Sequence, residues 1–324
     1  MLHLRGLLSL VPLVAAAAPG SAQSVDDRLE DEWYLPVAGG CRLYVRELGR
    51  GADTVGVLHG GFGADHSYLL PGFRPLFDRY HFVFYDQRAS LRSPCPDSTA
   101  SVAAHAEDLE QLRIALGLSR MKLAAHSMGT FLAMTYLERH PDRVANLALL
   151  GAIPPHTPTT GEDSALVSAS QEAFTKFRQR PEIAAAKAKE GLPLTGDVSP
   201  KLATRRWRID FTGANVFHVD RWKQMVGGQV FYNPRAGSAA SRTMPKSYDF
   251  RPVLTGHRCK VAVILGDHDL VDMGAARHRR WIASAPSVTL VIIRDAGHNL
   301  WMDSPQEFTK ALGRALSSDA GPCR

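Results

Sequence analysis

Ser127 lies in Ala125-His126-Ser127-Met128-Gly129, after the apolar run 121–125 and before a helix-like run over 131–140. Small-x-Ser-x-Gly at a strand-to-helix turn is the nucleophile-elbow pattern: the turn is sharp, so small residues flank the serine and its hydroxyl is lifted above the strand ends. Ala125 stands where glycine is usual, which the turn tolerates because only a small side chain is needed. A serine hydroxyl is a poor nucleophile at neutral pH and needs a neighbouring base. His298, in Asp295-Ala296-Gly297-His298-Asn299, follows the strand-like run 288–293 and is the candidate. A histidine base in turn needs a carboxylate to hold its tautomer. Asp269 is the expected partner, with Asp267 and Asp272 as rivals in the same loop. The order Ser127, Asp269, His298 is one of the known triad orders.

Acyl chemistry at a serine passes through an oxyanion that needs backbone N–H donors. His59-Gly60-Gly61-Phe62-Gly63 follows the strand-like run 54–58, and its glycines allow close backbone approach. Gly61 and Met128 are the two expected donors. His59 and His126 read as structural neighbours of these turns. The run Asp267-His268-Asp269 lacks further ligands at metal-binding spacing, so no metal and no organic cofactor is expected.

These loops need a scaffold that brings them to one edge. Short apolar runs alternate with helical patterns, which implies a mostly parallel sheet covered on both faces. Runs 41–48, 54–58, 81–85, 121–125, 144–150, 261–265 and 288–293 read as strands. Segments 68–77, 101–116, 275–284 and 305–316 read as helices, the last with Ser304 as N-cap and Glu307 completing a capping box. Between residues 154 and 255 strand signal is absent, while 165–178, 183–190 and 201–211 look helical. So long a structureless loop is improbable in a compact domain; the segment reads as an inserted helical cap. Its aromatics Trp207, Phe211, Phe217, Trp222, Phe231 and Tyr232 are expected mostly to pack the cap's own core. The domain reading is a signal segment at 1–22, a core at 23–153 and 256–324, and a cap at 154–255.

The glycine loop and Tyr85-Asp86-Gln87-Arg88-Ala89-Ser90-Leu91-Arg92-Ser93 carry a family resemblance. Together with the serine turn they make the chain similar to the α/β-hydrolase superfamily, and within it to proline-iminopeptidase-like serine hydrolases. The resemblance implies an eight-stranded, mostly parallel sheet with an inserted helical cap. It implies Ser127, Asp269 and His298 as catalytic residues and Gly61 and Met128 as the oxyanion hole. Ala89 and Leu91 replace two loop glycines of that family, Phe62 replaces a common proline, and the serine turn usually reads Gly-Gly-Ser-Trp-Gly. The expected activity is therefore cleavage of an ester or amide bond through an acyl-enzyme, with an aminopeptidase, an esterase or lactonase, and a catalytically silent binding protein as readings on one fold. Such peptidases hold the substrate amine with cap acids; Glu162, Asp163, Glu172, Glu182 and Asp210 are the acids available.

Composition limits the remaining classes. The net charge of +6 comes from 38 basic and 32 acidic residues without a dense basic run, so no nucleic-acid partner is expected. A small molecule or short peptide is the expected substrate. Arg5 followed by the apolar residues 7–18 and Gly20-Ser21-Ala22 reads as an export signal cleaved before Gln23. That apolar run is shorter than the ~20 residues a spanning helix needs, so no stable membrane insertion is expected. The product is expected to be secreted or periplasmic. Cys41, Cys95, Cys259 and Cys323 suit an oxidising compartment; four cysteines allow three pairings and the sequence does not choose among them, Cys41–Cys95 with Cys259–Cys323 being one guess.

Overall fold

The computed structural model describes residues 30–226 and 232–317. The proposed signal segment at 1–22 therefore lies outside the described residues. Eight strands form one sheet: β1 Glu30–Val37, β2 Cys41–Leu48, β3 Asp53–Leu58, β4 Tyr80–Tyr85, β5 Met121–His126, β6 Val144–Leu150, β7 Val261–Gly266 and β8 Val288–Ile293. The spatial order is β1-β2-β4-β3-β5-β6-β7-β8. β1 pairs antiparallel with β2, and β2 antiparallel with β4. From β4 to β8 every pairing is parallel.

Strand character follows burial. β5 and β7 are buried at every position, as expected of parallel strands covered on both faces. One core cluster packs Leu109, Leu112, Phe131, Tyr136, Val263 and Trp281 against one face. A second packs Phe73, Phe82, Phe84, Ile264, Phe308 and Leu312 against the other. The order of strand addition reverses at β3: β4 follows it on one side, and β5 returns to the other. Such a switch point opens a crevice beyond the strand ends. The glycine loop after β3 and the serine turn after β5 border that crevice.

Several local expectations need correction. β1 was not expected; it pairs along its whole length with β2, and its Leu35, Trp33 and Val37 pack on the core. The predicted helix over 68–77 is two short 3-10 turns around a four-residue helix, Leu70–Phe73. Pro71 and Pro75 remove backbone donors there. Ser304 makes no side-chain cap, since the helix Leu300–Asp303 runs straight into Pro305–Leu316 and leaves it at φ −138°, ψ 70°. Helices Pro234–Arg242 and Arg251–Gly256 were not expected; both start on proline at the first turn.

Between β6 and β7 the chain also forms the helices Gly161–Phe177, Pro181–Lys189 and Pro200–Asn215. The last two share a small core of Ile183 and Ile209 with Leu192, Val219 and Trp222. Cys41 and Cys95 are joined, with Cα atoms 5.0 Å apart, which selects among the pairings the sequence left open. Cys323, the other half of the guessed pair with Cys259, lies outside the described residues. Among the described residues no helix is long and apolar enough to cross a membrane.

Candidate active site

Ser127 is the residue between β5 and the helix Met128–Arg139, and its backbone sits at φ 55°, ψ −126°. A non-glycine residue with positive φ is strained and persists only where its surroundings hold it. They do so here by three hydrogen bonds. Ser127 N donates to Leu150 O at 3.0 Å, Thr130 N donates back to Ser127 O at 2.8 Å, and Thr130 Oγ1 donates to the same oxygen at 2.6 Å. Gly129 is required by packing, because a Cβ there would lie 2.6 Å from His59 O and 2.7 Å from Leu58 O. Met128 is the first helical residue, where N–H groups have no partner within the helix.

His298 Nδ1 lies 2.8 Å from Asp269 Oδ1, both side chains being buried. A carboxylate oxygen accepts, so Nδ1 donates and Nε2 is left as the basic nitrogen. Asp269 is also fixed by accepting from Val271 N at 3.0 Å. The rival acids are engaged by other histidines. Asp267 accepts from His268 Nδ1 at 2.7 Å. Asp272 accepts from His278 Nδ1 at 2.8 Å and His278 N at 2.9 Å. Three acids of one loop are thus divided among three histidines, and only Asp269 meets His298.

One residue at this centre was missed. Gly151 follows β6 with φ +53°, and a Cβ there would stand 2.8 Å from His298 Nδ1 and 3.2 Å from Asp269 Oδ2. The only sequence signal was a glycine directly after an apolar strand, which is common at strand ends.

The glycine loop is braced from behind. Gln87 N donates to His59 Nε2 at 3.0 Å, and Gln87 Nε2 donates to His59 O at 2.9 Å. With Nε2 accepting, His59 Nδ1 donates to Gly60 O at 3.0 Å. Burial, against the pull of Asp86, keeps His59 neutral by pushing its pKa down. Arg88 grips Asp108 with two bonds, at 2.7 and 2.5 Å. Asp86 accepts from His66 N at 2.9 Å and His66 Nδ1 at 2.7 Å. Burial alone would raise the Asp86 pKa; hydrogen bonding to His66 and its charge outweigh that and hold it low. Asp65, His66 and Asp86 approach within metal-ligating reach of one another. Arg92 supplies the cation of that cluster, at 3.3 Å from Asp65 and 3.4 Å from Asp86.

Gly61, Ser127 and His298 line one cavity of about 530 Å³. Its far wall comes from the helix Pro200–Asn215, through Trp207, Phe211 and Asn215. Their spacing of four residues puts them on one helix face. Tyr232 lines it as well. This corrects the expectation that the aromatics mostly pack the helices' own core. Trp222 does so, and Phe217 stacks on Phe177; Phe231 lies outside the described residues. Asp65 is the one acid lining the cavity among the described residues, and it already accepts from Ser67 N and Arg92.

A sequence model described as the alpha/beta hydrolase fold matches residues 53–305. The chain belongs to the α/β-hydrolase fold family. Over 132 residues it is 37% identical to a probable proline iminopeptidase of Streptomyces coelicolor, covering 37% of this chain and 40% of that protein. The match thus spans about two fifths of that relative's length. It is 26% identical over 273 residues to human 1-acylglycerol-3-phosphate O-acyltransferase ABHD5, covering 79% of this chain and 75% of that protein. Among solved structures, the esterase RhEst1 from Rhodococcus sp. ECU1013 superposes with a TM-score of 0.64 at 20% identity. That superposition covers 89% of this chain and 98% of the esterase, and speaks for the shared α/β-hydrolase fold alone.

Proposed function

We propose that this α/β-hydrolase is a serine hydrolase that cleaves carboxylic esters bearing an apolar group, through an acyl-enzyme on Ser127. The observation that carries the reading is the buried Asp269–His298 pair at 2.8 Å, whose histidine lines the same cavity as the strained Ser127. Ser127 Oγ attacks the carbonyl carbon while His298 Nε2 takes its proton. The oxyanion is held by the N–H groups of Gly61 and Met128. His298 returns the proton to the leaving alcohol, and the C–O bond breaks. Water then attacks the acyl-enzyme with His298 again as base, releasing the acid and Ser127. Asp269 holds the tautomer and stabilises the imidazolium. In this reading residues 154–255 are a cap whose aromatic face receives the apolar group.

An aminopeptidase of the proline-iminopeptidase type is the second reading, favoured by the similarity to proline iminopeptidases. It needs a carboxylate for the substrate amine. Four of the five candidate acids are engaged elsewhere: Glu162 and Asp163 pair with Arg280, Glu172 with Lys176, and Asp210 with Lys187; Glu182 does not line the cavity. Esters without an amine therefore fit better.

A fluorophosphonate probe tests the first step. Ser127 should be labelled in the folded protein and Ser127→Ala should not; an unlabelled wild type leaves the silent binding protein as the reading. Aryl esters assayed beside aminoacyl arylamides then separate the two activities, and faster arylamide turnover favours the peptidase. We also infer export. The Cys41–Cys95 bridge suits an oxidising compartment, and mass spectrometry of the secreted chain should find Gln23 at its start.

A further inference from the structure

His126 is a buried imidazole that the reaction above does not use. It ends β5, one residue before Ser127. Its two ring nitrogens reach two different loops. Nε2 lies 3.1 Å from the main-chain oxygen of His298. Nδ1 lies 2.7 Å from the Tyr68 hydroxyl, which lies 2.7 Å from Gly60 N.

The protons along this chain follow from donor and acceptor chemistry. A carbonyl only accepts, so His126 Nε2 donates to His298 O. Burial, reinforced by the neighbouring His298, keeps the ring neutral by pushing its pKa well below 6.5. Nδ1 of a neutral ring protonated at Nε2 is bare, so it accepts from Tyr68. Burial likewise keeps the phenol protonated. With its proton committed, the Tyr68 oxygen accepts from Gly60 N–H. The chain runs in one sense from the glycine loop to the backbone of the base.

Packing leaves these groups little freedom. A Cβ on Gly60 would lie 2.5 Å from Ser127 Cβ and 3.0 Å from the Tyr68 hydroxyl oxygen. The His126 ring is 4.5 Å from the His298 ring and 5.1 Å from the Trp301 ring, between centroids.

We propose that Tyr68 and His126 are positioning residues, whose hydrogen-bond chain holds the glycine loop after β3 and the base-bearing loop after β8 in register around Ser127. Tyr68 takes up the Gly60 N–H, which assigns the oxyanion role to the next amide, Gly61. A neutral His126 also avoids opposing the charge that forms on His298. The kinetic consequence rests on the serine-hydrolase reading; the proton arrangement does not.

Tyr68→Phe removes one oxygen and keeps the ring. It should lower kcat for an aryl ester about 30-fold with KM changed less than about 3-fold, the signature of a misplaced reacting group. His126→Asn, whose amide oxygen replaces Nδ1, should keep this sensitivity to Tyr68→Phe; His126→Phe should abolish it. A purely structural role would lower Tm in Tyr68→Phe and leave kcat at 25 °C unchanged, and that result overturns the proposal. Nitrogen-15 NMR of the full chain at neutral pH should find the His126 ring neutral and protonated at Nε2. A ring protonated at Nδ1, or charged, overturns the arrangement whether or not the protein turns over substrate. Failure of the wild type to react with fluorophosphonate would instead overturn the triad reading.

Discussion

Two regions face each other across the cavity and are built differently. The loops after β3, β5, β6, β7 and β8 are constrained, and His59, Asp269 and His298 are buried in them. Their histidines are assigned to named partners, and glycines stand where a side chain would collide with a neighbour. The helices between β6 and β7 have a small core of their own, and Glu172 pairs with Lys176 at the surface. Exposed ion pairs of that kind contribute little to stability. The apolar residues Phe211, Val226 and Tyr232 remain 37%, 42% and 47% exposed while lining the cavity. The contrast separates the two tasks of the site. Bond-making geometry is held by the part that cannot move without breaking the core, and substrate shape is met by a part that can change without disturbing it.

The largest expected effect lies on the loop side. Ser127→Ala should lower kcat by about 10⁶-fold and Asp269→Asn by about 10⁴-fold, with circular dichroism and Tm near those of the wild type. Retained turnover in Ser127→Ala would remove the loops from the reaction and dissolve the contrast.

Gly151→Ala should come next, with a loss of about 10²-fold in kcat. The added methyl would crowd His298 Nδ1 and require a side chain at φ +53°, which costs about 1–3 kcal/mol of backbone strain. Steady-state kinetics together with a thermal melt check both parts. A wild-type rate would mean that the dyad has room to shift.

On the helix side the effect should be smaller and selective. Trp207→Ala or Phe211→Ala should lower kcat/KM for a long-chain ester by about 10-fold, the equivalent of roughly 1.4 kcal/mol of lost apolar contact. The rate of labelling by a small fluorophosphonate should stay within about 3-fold. Equal losses on both substrates would show that the two regions are not separable.

The mildest test is titration of stability. His59, His105 and His126 are buried, and burial lowers the pKa of each from 6.5, that of His105 to about 3. Each is neutral when folded and binds a proton when unfolded once the pH is below about 6.5. Stability should therefore be full above that pH and fall on acidification, by at most about 1.4 kcal/mol per pH unit for each histidine. Urea midpoints at pH 7.5 and 5.5 measure the slope. A flat profile would mean that these rings are hydrated.

Legibility in the sequence followed how local each constraint is. The serine turn and the glycine loop were readable, because a sharp strand-to-helix turn and a close backbone approach each demand small residues at fixed offsets. The acid was harder. Asp267, Asp269 and Asp272 are near neighbours in one loop, and the choice among them depends on which histidine each one meets. Trp207, Phe211 and Asn215 share a helix face by spacing, yet the same spacing serves a buried core and a cavity wall. β1 was missed because its first residues, Glu30-Asp31-Glu32, are charged and Pro36 interrupts its apolar half, while its pairing partner β2 is visible only in the fold.

From residue types and order came the α/β class and the serine turn, which depend on contacts between near neighbours in the chain, and, through the triad order of the family the chain resembles, the candidates Asp269 and His298. The pairing of three acids with three histidines, the crowding at Gly151, the cavity-facing aromatics and the Tyr68–His126 chain came only with the folded sheet. Each of them joins groups far apart in sequence, and such distances are decided by strand order and packing.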